Sequence, residues 1–465
     1  MPFVILPTNS ASGGYEVTNS LRTNRASSDY LNKTFSGSGN RRTFTISFWL
    51  KISALASDSP YIFGASTSTT NAIAIYYNTT GQLSMEAYTG AWSLRLHTSA
   101  LLRDPSAWYH ICYSIDTTQA TDTNRVKLYI NGVQQTFSTS PTQVYPSLNL
   151  DLPYNQSGNS TTINCQSYYN AEFFSGYYSE FYMIDGQQLT PTSFGETDED
   201  TGIWKPKAYT GTYGTNGFYL QFKNSASLGT DSSGNGNNWT VNNLTSVDQS
   251  TDTPTNNFAT ANPLEKEPPA YSNGNLTHGN GAVWRFAPST IAVSSGKWYA
   301  EFKIGGGDSI VGIASVTDMA NNTILVVGST ANSIGYDSSG SRGINNSFVA
   351  YGSSFTTNDI ISIALDMNNN ALYFAKNGTY QNSGVPTSGA SKTGAINIST
   401  SDFYVLGMSQ NNNTSNSNYG SPAYSANSYT DGAGLGNFSY SVPAGFYSLN
   451  TKNLAQFGWY DKQTN

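Results

Sequence analysis

Residues 43–52 read Thr-Phe-Thr-Ile-Ser-Phe-Trp-Leu-Lys-Ile, and every second side chain, Phe44, Ile46, Phe48, Leu50 and Ile52, is apolar. Successive side chains of an extended chain point to opposite faces, so this period of two gathers the apolar set on one side and leaves mostly polar residues on the other. The segment is a half-buried strand. The same period recurs at 109–115 and at 125–130, where Val126, Leu128 and Ile130 point together, and Asn131-Gly132 then supplies a type I′ hairpin turn. Further strands read at 181–184, closed by Asp185-Gly186, and at 218–222. The alternation resumes at 297–304, 361–366, 372–374 and 403–406, with a second hairpin-type turn at Asn377-Gly378. Apolar residues nowhere recur convincingly at helical spacing over three turns. Short strands about 8 to 12 residues apart with such turns predict antiparallel β-sandwiches, not a βαβ fold.

A chain of 465 residues is too long for one hydrophobic core, so two domains are expected. Between 224 and 269 the pattern gives way to turn-forming and proline-punctuated sequence, and the junction is placed there. The expected organisation is an N-terminal segment over 1–14, a first sandwich over 15–245, a linker and lead-in over 246–280, a second sandwich over 281–450, and a tail over 451–465.

Charged residues make up only 11% and aromatics 13%, with 43 Gly, 32 Tyr and 22 Phe, a profile that favours strands and turns. The net charge is -7 and the Lys and Arg residues are scattered, so no clustered basic footprint for nucleic acid exists. The first seven residues have no positive n-region, and no run of 18 apolar residues occurs, so neither conventional secretion nor membrane insertion is expected. Cys112 and Cys165 are the two cysteines. They exclude a disulfide scaffold and a cysteine-based zinc site. Assembly inside a cell keeps such thiols reduced, and whether the two pair is left open.

Four segments of the first domain carry a likeness: 20–31, the strand 44–51, Trp108-Tyr109-His110 with Leu128-Tyr129-Ile130-Asn131-Gly132, and Phe181-Tyr182-Met183-Ile184-Asp185-Gly186. Together they resemble the concanavalin A-like or laminin-G-like jelly roll, in the version common in marine phage genomes. In the second domain, 295–301, Ile334-Gly335-Tyr336-Asp337, 359–366 and 372–378 resemble, in order and spacing, the SPRY fold, itself a concanavalin-like sandwich. The closing 437–451 and the opening 6–14 are similar to cyanophage-like and pelagiphage-like structural proteins of tailed phages.

The resemblance implies an all-β protein of two tandem jelly-roll-type sandwiches, displayed on the virion surface after assembly in the host bacterial cytoplasm. It implies a tail-fibre or receptor-binding adhesin that recognises host-surface glycans, with a capsid decoration or head-fibre protein as the alternative. Other virion proteins are the expected partners, with residues 1–14 as a docking peptide. A homo-oligomer, often a trimer in such particle proteins, is expected too.

A polysaccharide-degrading enzyme is the third reading. A retaining glycosidase needs two carboxylates about 5 to 5.5 Å apart. The one acid cluster, Glu196-Thr197-Asp198-Glu199-Asp200, lies between Pro191 and Gly202 and reads as an exposed loop. His97, His110 and His278 are far apart in sequence and no nucleophile motif accompanies them, so no catalytic residue is assigned. Laminin-G-like domains often hold calcium through Asp carboxylates, and Asp116, Asp122 and Asp185 stand in suitable turns. Asp favours turns through local hydrogen bonds alone, so no ligand set is assigned.

Binding is expected at aromatic-rich loops. The stretch 410–436 sets Tyr419, Tyr424 and Tyr429 among Asn, Ser and Gly, a combination of flat rings and short amides that suits adaptable recognition. Sugar rings stack on Tyr faces, and Asn both donates to and accepts from hydroxyls. Asp337 and Arg342 flank another Gly and Ser loop. In the first domain Tyr168 and Tyr169, with Tyr177 and Tyr178, form a second aromatic group.

Overall fold

The computed structural model describes residues 14–53, 55, 58–279, 281–321, 326–399 and 402–458. Most of the expected docking peptide (1–13) and the end of the tail (459–465) lie outside the described residues. The chain divides into two compact units, Ala11–Thr255 and a second that includes Asn256–Asn465. Each is an all-β sandwich, as the alternation predicts.

In the first unit, Thr43–Ile52, Trp108–Asp116 and Gly176–Asp185 form the centre of an eight-stranded sheet. A seven-stranded sheet containing Tyr61–Ser68, Asn71–Tyr77, Leu83–Thr89 and Trp92–His97 packs against it. Phe44, Ile46, Phe48, Leu50 and Ile52 meet Ile73, Ile75, Met85, Leu94 and Leu96 in one core. Burying such side chains contributes about 1.5 to 3 kcal/mol each, the main term holding the sheets together.

The central strand differs from the half-buried expectation. Its other face is buried as well, because chain from 186–219 and 249–253 covers it. Trp49, Trp108 and Tyr177 pack with Trp204 there. Cys112, Tyr182 and Ile184 pack with Phe194 and Tyr219. Lys51 and Asp252 are 1% exposed and 2.7 Å apart, and the Trp108 indole donates to the second Asp252 oxygen at 3.0 Å. A buried charge survives only when so paired. No pattern along a single strand reveals such a cover.

The second unit has a nine-stranded sheet centred on Lys297–Lys303 and Ile360–Asp366, and a six-stranded sheet containing Arg285–Val293, Tyr404–Gln410 and Ser309–Ser315. Trp298, Phe302, Val311, Ile313, Ile363, Leu365, Phe374 and Leu406 share its core. Phe438 and Phe446 pack on Tyr299 and Tyr373, covering the outer face of the nine-stranded sheet. Met319, from the helix Val316–Asn321, packs with Ile310, Ala314 and Val405 on the outside of the six-stranded sheet.

The stretch expected as a linker, 246–280, supplies strands to both units. Gln249–Ser250 pairs with Ser20–Thr23 in the first. Ala270–Ser272 and Thr277–Gly279 join the nine-stranded sheet of the second. Strands of two or three residues are too short to show a period. The expected tail likewise contains the helix Thr451–Phe457, whose Leu454 enters the second core and whose start is capped by the Asn450 side chain accepting from Asn453 N at 3.0 Å.

Candidate functional site

Among the described residues, three of the four large sandwich sheets carry an apolar cluster over their outer face. The seven-stranded sheet of the first unit instead bears a groove of about 250 Å³ on that face. Alternation builds it. Ile73, Ile75, Met85, Ala87, Leu94 and Leu96 go into the core. Their neighbours face outward: Ala72 and Ala74 form a low floor with Ser66 and Ser68, and Glu86 and Tyr88 rise from the next strand. A register shift between Ala87 and Tyr88 sets Tyr88 opposite Trp92. Their rings meet edge to face at 5.2 Å, making one wall.

The other wall comes from the chain after Thr162. Gln166 N donates to Ala171 O and Asn170 N to Gln166 O, a tight turn completed by Asn170 at φ 48°. Ser167 Oγ lies 2.7 Å from Ser66 Oγ, and the Gln166 amide donates to the Tyr61 hydroxyl at 3.3 Å, tying the turn to the sheet. Tyr168 and Tyr169 project from it with ring centroids 4.7 Å apart. Large apolar surface is normally hidden, yet Trp92, Tyr168 and Tyr169 are 43%, 48% and 62% exposed around one concavity.

Glu86 is the ionisable acid of the lining. Its Oε1 accepts from His97 Nε2 at 2.8 Å and Arg95 Nε at 3.2 Å. The Arg95 guanidinium in turn sits 5.0 Å over the Trp92 ring, which fixes that ring.

The structure thus places Tyr168 and Tyr169 at a groove, and it separates the other expected residues. Tyr419 is wholly buried, with its hydroxyl donating to Leu406 O at 3.2 Å, so no ligand reaches its ring. Tyr424 is half-buried under Lys303, whose ammonium lies 5.4 Å over the ring. Tyr429 is exposed and pairs with Phe438 through its backbone. Tyr177 and Tyr178 are buried, the latter donating to Asn164 Oδ1 at 2.8 Å. Asp337 caps its own turn, accepting from Ser339 N at 3.0 Å and Ser341 N at 2.9 Å. Arg342, half-buried on the same hairpin, makes no ion pair with it.

The acid cluster straddles a strand end and a turn: Glu196 lies in a short strand, while Glu199 and Asp200 stand exposed in the turn, as expected of a loop. Gly195–Thr197 and Trp204–Pro206 form a two-stranded hairpin. Asp198 takes Lys205 Nζ at 3.0 Å, and that contact, with Thr201, holds its carboxyl at about 2. Glu196 lies within 3.9 Å of Lys207, so these acids serve ion pairs at the surface. His110 is fully buried: the Trp204 indole donates to its Nδ1 at 3.0 Å, its Nε2 meets Ser47 Oγ at 2.8 Å, and burial lowers its pKa to about 3. Burial lowers His278 to about 4.

The turn aspartates Asp116 and Asp185 are engaged in local hydrogen bonds. Asp116 accepts from Thr43, Thr118 and Gln119. Asp185 accepts from Asn40 N, Asn155 and Asn216 N. Among the described residues no three acidic, His or Cys side chains converge. Cys112 and Cys165 are free and buried, and burial pushes the Cys165 thiol up to about 12.

Residues 25–193 match the family described as the concanavalin A-like lectin/glucanases superfamily, and residues 297–421 match the SPRY domain. The chain therefore joins a concanavalin A-like domain to a SPRY domain, both jelly-roll sandwiches. No curated protein matches it. Among solved structures it is similar to the native heptameric SAP-like pentraxin from Limulus polyphemus, at 17% identity over 38% of this chain and 80% of that one, TM-score 0.27. The SPRY domain of human HERC1 is similar at 18% identity over 30% and 85%, TM-score 0.23. Domain 4 of AbnA, a GH43 extracellular arabinanase from Geobacillus stearothermophilus in complex with arabinotriose, is similar at 20% identity over 33% and 65%, TM-score 0.24.

Proposed function

We propose that the chain is a carbohydrate-binding, adhesin-type protein, and that it serves on a tailed-phage virion as a tail-fibre or receptor-binding component contacting host-surface glycans. The groove carries this reading: rings from two walls stand over a floor of Ala and Ser, with Glu86 and Gln166 available to sugar hydroxyls. Aromatic faces take the apolar side of a pyranose, and polar side chains fix its orientation. The reading is non-enzymatic. Among the described residues the groove lining holds a single carboxylate, which is already engaged by His97 and Arg95, whereas glycoside hydrolysis calls for a pair. A single shallow groove binds weakly, so display of several copies, as in an oligomer on a particle, raises avidity.

The test is a glycan array and a host-cell binding assay with the chain presented multivalently. Saturable binding lost in Trp92→Ala supports the reading, and silence in both assays sinks it.

A second reading, a capsid decoration or head-fibre protein, has its own observation. The edge strand Ser347–Ala350 is exposed throughout, with Phe348 and Val349 each 44% exposed, as suits packing on another protein. Electron microscopy of the particle separates the two, since copies on the capsid shell would favour the second.

A further inference from the structure

We infer that the groove selects uncharged sugars over acidic ones, and that Glu86 sets this choice. The inference rests on the carbohydrate reading and deepens it. Of the described side chains lining the groove, Glu86 alone is a carboxylate, and none is Lys, Arg or His. Arg95 and His97, the basic residues in contact with it, are not among the lining side chains. Arg95 Nε and His97 Nε2 both donate to Glu86 Oε1, and the flat face of the Arg95 guanidinium is spent on Trp92.

An acidic sugar entering here therefore finds no unengaged guanidinium or ammonium in the lining. Sugar acids are usually held by a fork of Arg donors with nothing else to bind. It finds instead a like charge at the groove. A neutral sugar meets the opposite situation. A carboxylate has about four lone-pair sites, and the two bonds on Oε1 leave others to accept from ligand hydroxyls. A charged acceptor makes the stronger kind of hydrogen bond. The rings of Tyr88, Trp92 and Tyr169 supply stacking surface that carries no charge preference toward a neutral ring. Glu86 thus rewards hydroxyls and rejects carboxylates at one point.

Matched pairs of probes test this: cellobiose against cellobiouronic acid, and galactobiose against digalacturonate, each titrated into the full chain by calorimetry at neutral pH. Within a pair that binds, the acidic twin is expected to be at least about tenfold weaker, which is about 1.4 kcal/mol. Glu86→Gln is expected to narrow that ratio to about threefold or less. Raising the salt concentration narrows it in the unaltered chain, a readout that does not depend on the variant folding. Equal binding of the two twins, or a ratio indifferent to both salt and Glu86→Gln, overturns the inference and leaves the carbohydrate reading standing. Failure of every twin, neutral and acidic, overturns both.

Discussion

Two stretches of this chain look alike in sequence and end in opposite places. Tyr168 and Tyr169 stand in a run of Ser, Asn and Gln; Tyr419, Tyr424 and Tyr429 stand in a longer run of the same residues. The first pair projects into solvent over a groove, while Tyr419 is packed in a core. The difference lies in what each stretch is tied to. The turn carrying Tyr168 and Tyr169 closes on itself through Gln166 and Ala171, so its rings have nowhere to go but out. The longer stretch is clasped from within and from just beyond its end: its Asn418 amide donates to Glu301 at 3.4 Å, and the same carboxylate holds the chain that follows. Glu301, wholly buried on a central strand, accepts from Ser439 N at 2.8 Å, Tyr440 N at 2.9 Å and the Tyr299 hydroxyl at 3.0 Å. Burial raises the pKa of Glu301, and the amide bonds oppose the rise. A buried carboxylate of this kind holds distant chain against the sheet because leaving it bare is costly.

The first sandwich has a counterpart in Glu180. It sits at φ 49° beside a register shift and accepts from the hydroxyls of Tyr15, Tyr182 and Tyr219 at 2.8, 2.7 and 2.6 Å. That clasp lies on the eight-stranded sheet, not beneath the groove. Tyrosine content alone therefore does not mark a binding loop; where the chain beside each ring is anchored decides whether the ring faces in or out.

The largest expected effect breaks the clasp. Glu301→Ala strands two backbone amides and a phenol, and hydrogen exchange across 437–450 is expected to show protection reduced by about 3 kcal/mol, with the groove segments unchanged. A loss below about 1 kcal/mol would mean that apolar packing by Phe438 and Phe446 holds the stretch instead.

Acid sharpens the contrast next. His110, held near 3 against an ordinary 6.5, stays neutral in the fold while the unfolded chain gains a proton, so its contribution is lost as pH falls from about 6.5 toward 3. Asp29 has the opposite sign: burial raises it from 3.8 to about 7, so it favours the fold as pH falls from about 7 to 4. One of its oxygens is buried without a partner, which fits a protonated carboxyl. Asp29→Asn removes this compensation. The denaturant midpoint of the first sandwich is then expected to fall more steeply between pH 7 and 4, by about 1 to 2 kcal/mol across that span.

Smaller still, Tyr169→Ala is expected to weaken binding of a neutral sugar about fivefold to tenfold, about 1 kcal/mol, in a calorimetric titration. Tyr429→Ala, exposed but not part of the groove lining, is expected to leave that titration within twofold. Equal losses in the two variants would erase the distinction drawn between the stretches.

The strands were legible because their apolar residues recur at two. The covers were not: Thr45, Ser47 and Lys51 read as a wet face, and the chain that dries it comes more than a hundred residues later. Tyr419 was hidden for a related reason. It lies in phase with Ser417, which pairs with Phe302 on the core side, but Ser and Asn occupy both faces of Thr414–Asn418 and leave no pattern. Half of the groove was readable and went unread. In Leu83-Ser84-Met85-Glu86-Ala87-Tyr88 the acid and the ring share the polar face, and Ala72 and Ala74 put small residues on the polar face of the strand beside it. Large polar-face side chains next to small ones are the signature of a hollow.

The clasp at Glu301 also bears on how the protein is made. Its carboxylate is translated well over a hundred residues before the amides that receive it, and domains emerging from a ribosome fold from the N-terminal side first. The first sandwich can close while synthesis continues, whereas this contact of the second waits until residue 440 has been added. A chain ending after the first sandwich but before residue 439 would leave Glu301 without the amides of Ser439 and Tyr440.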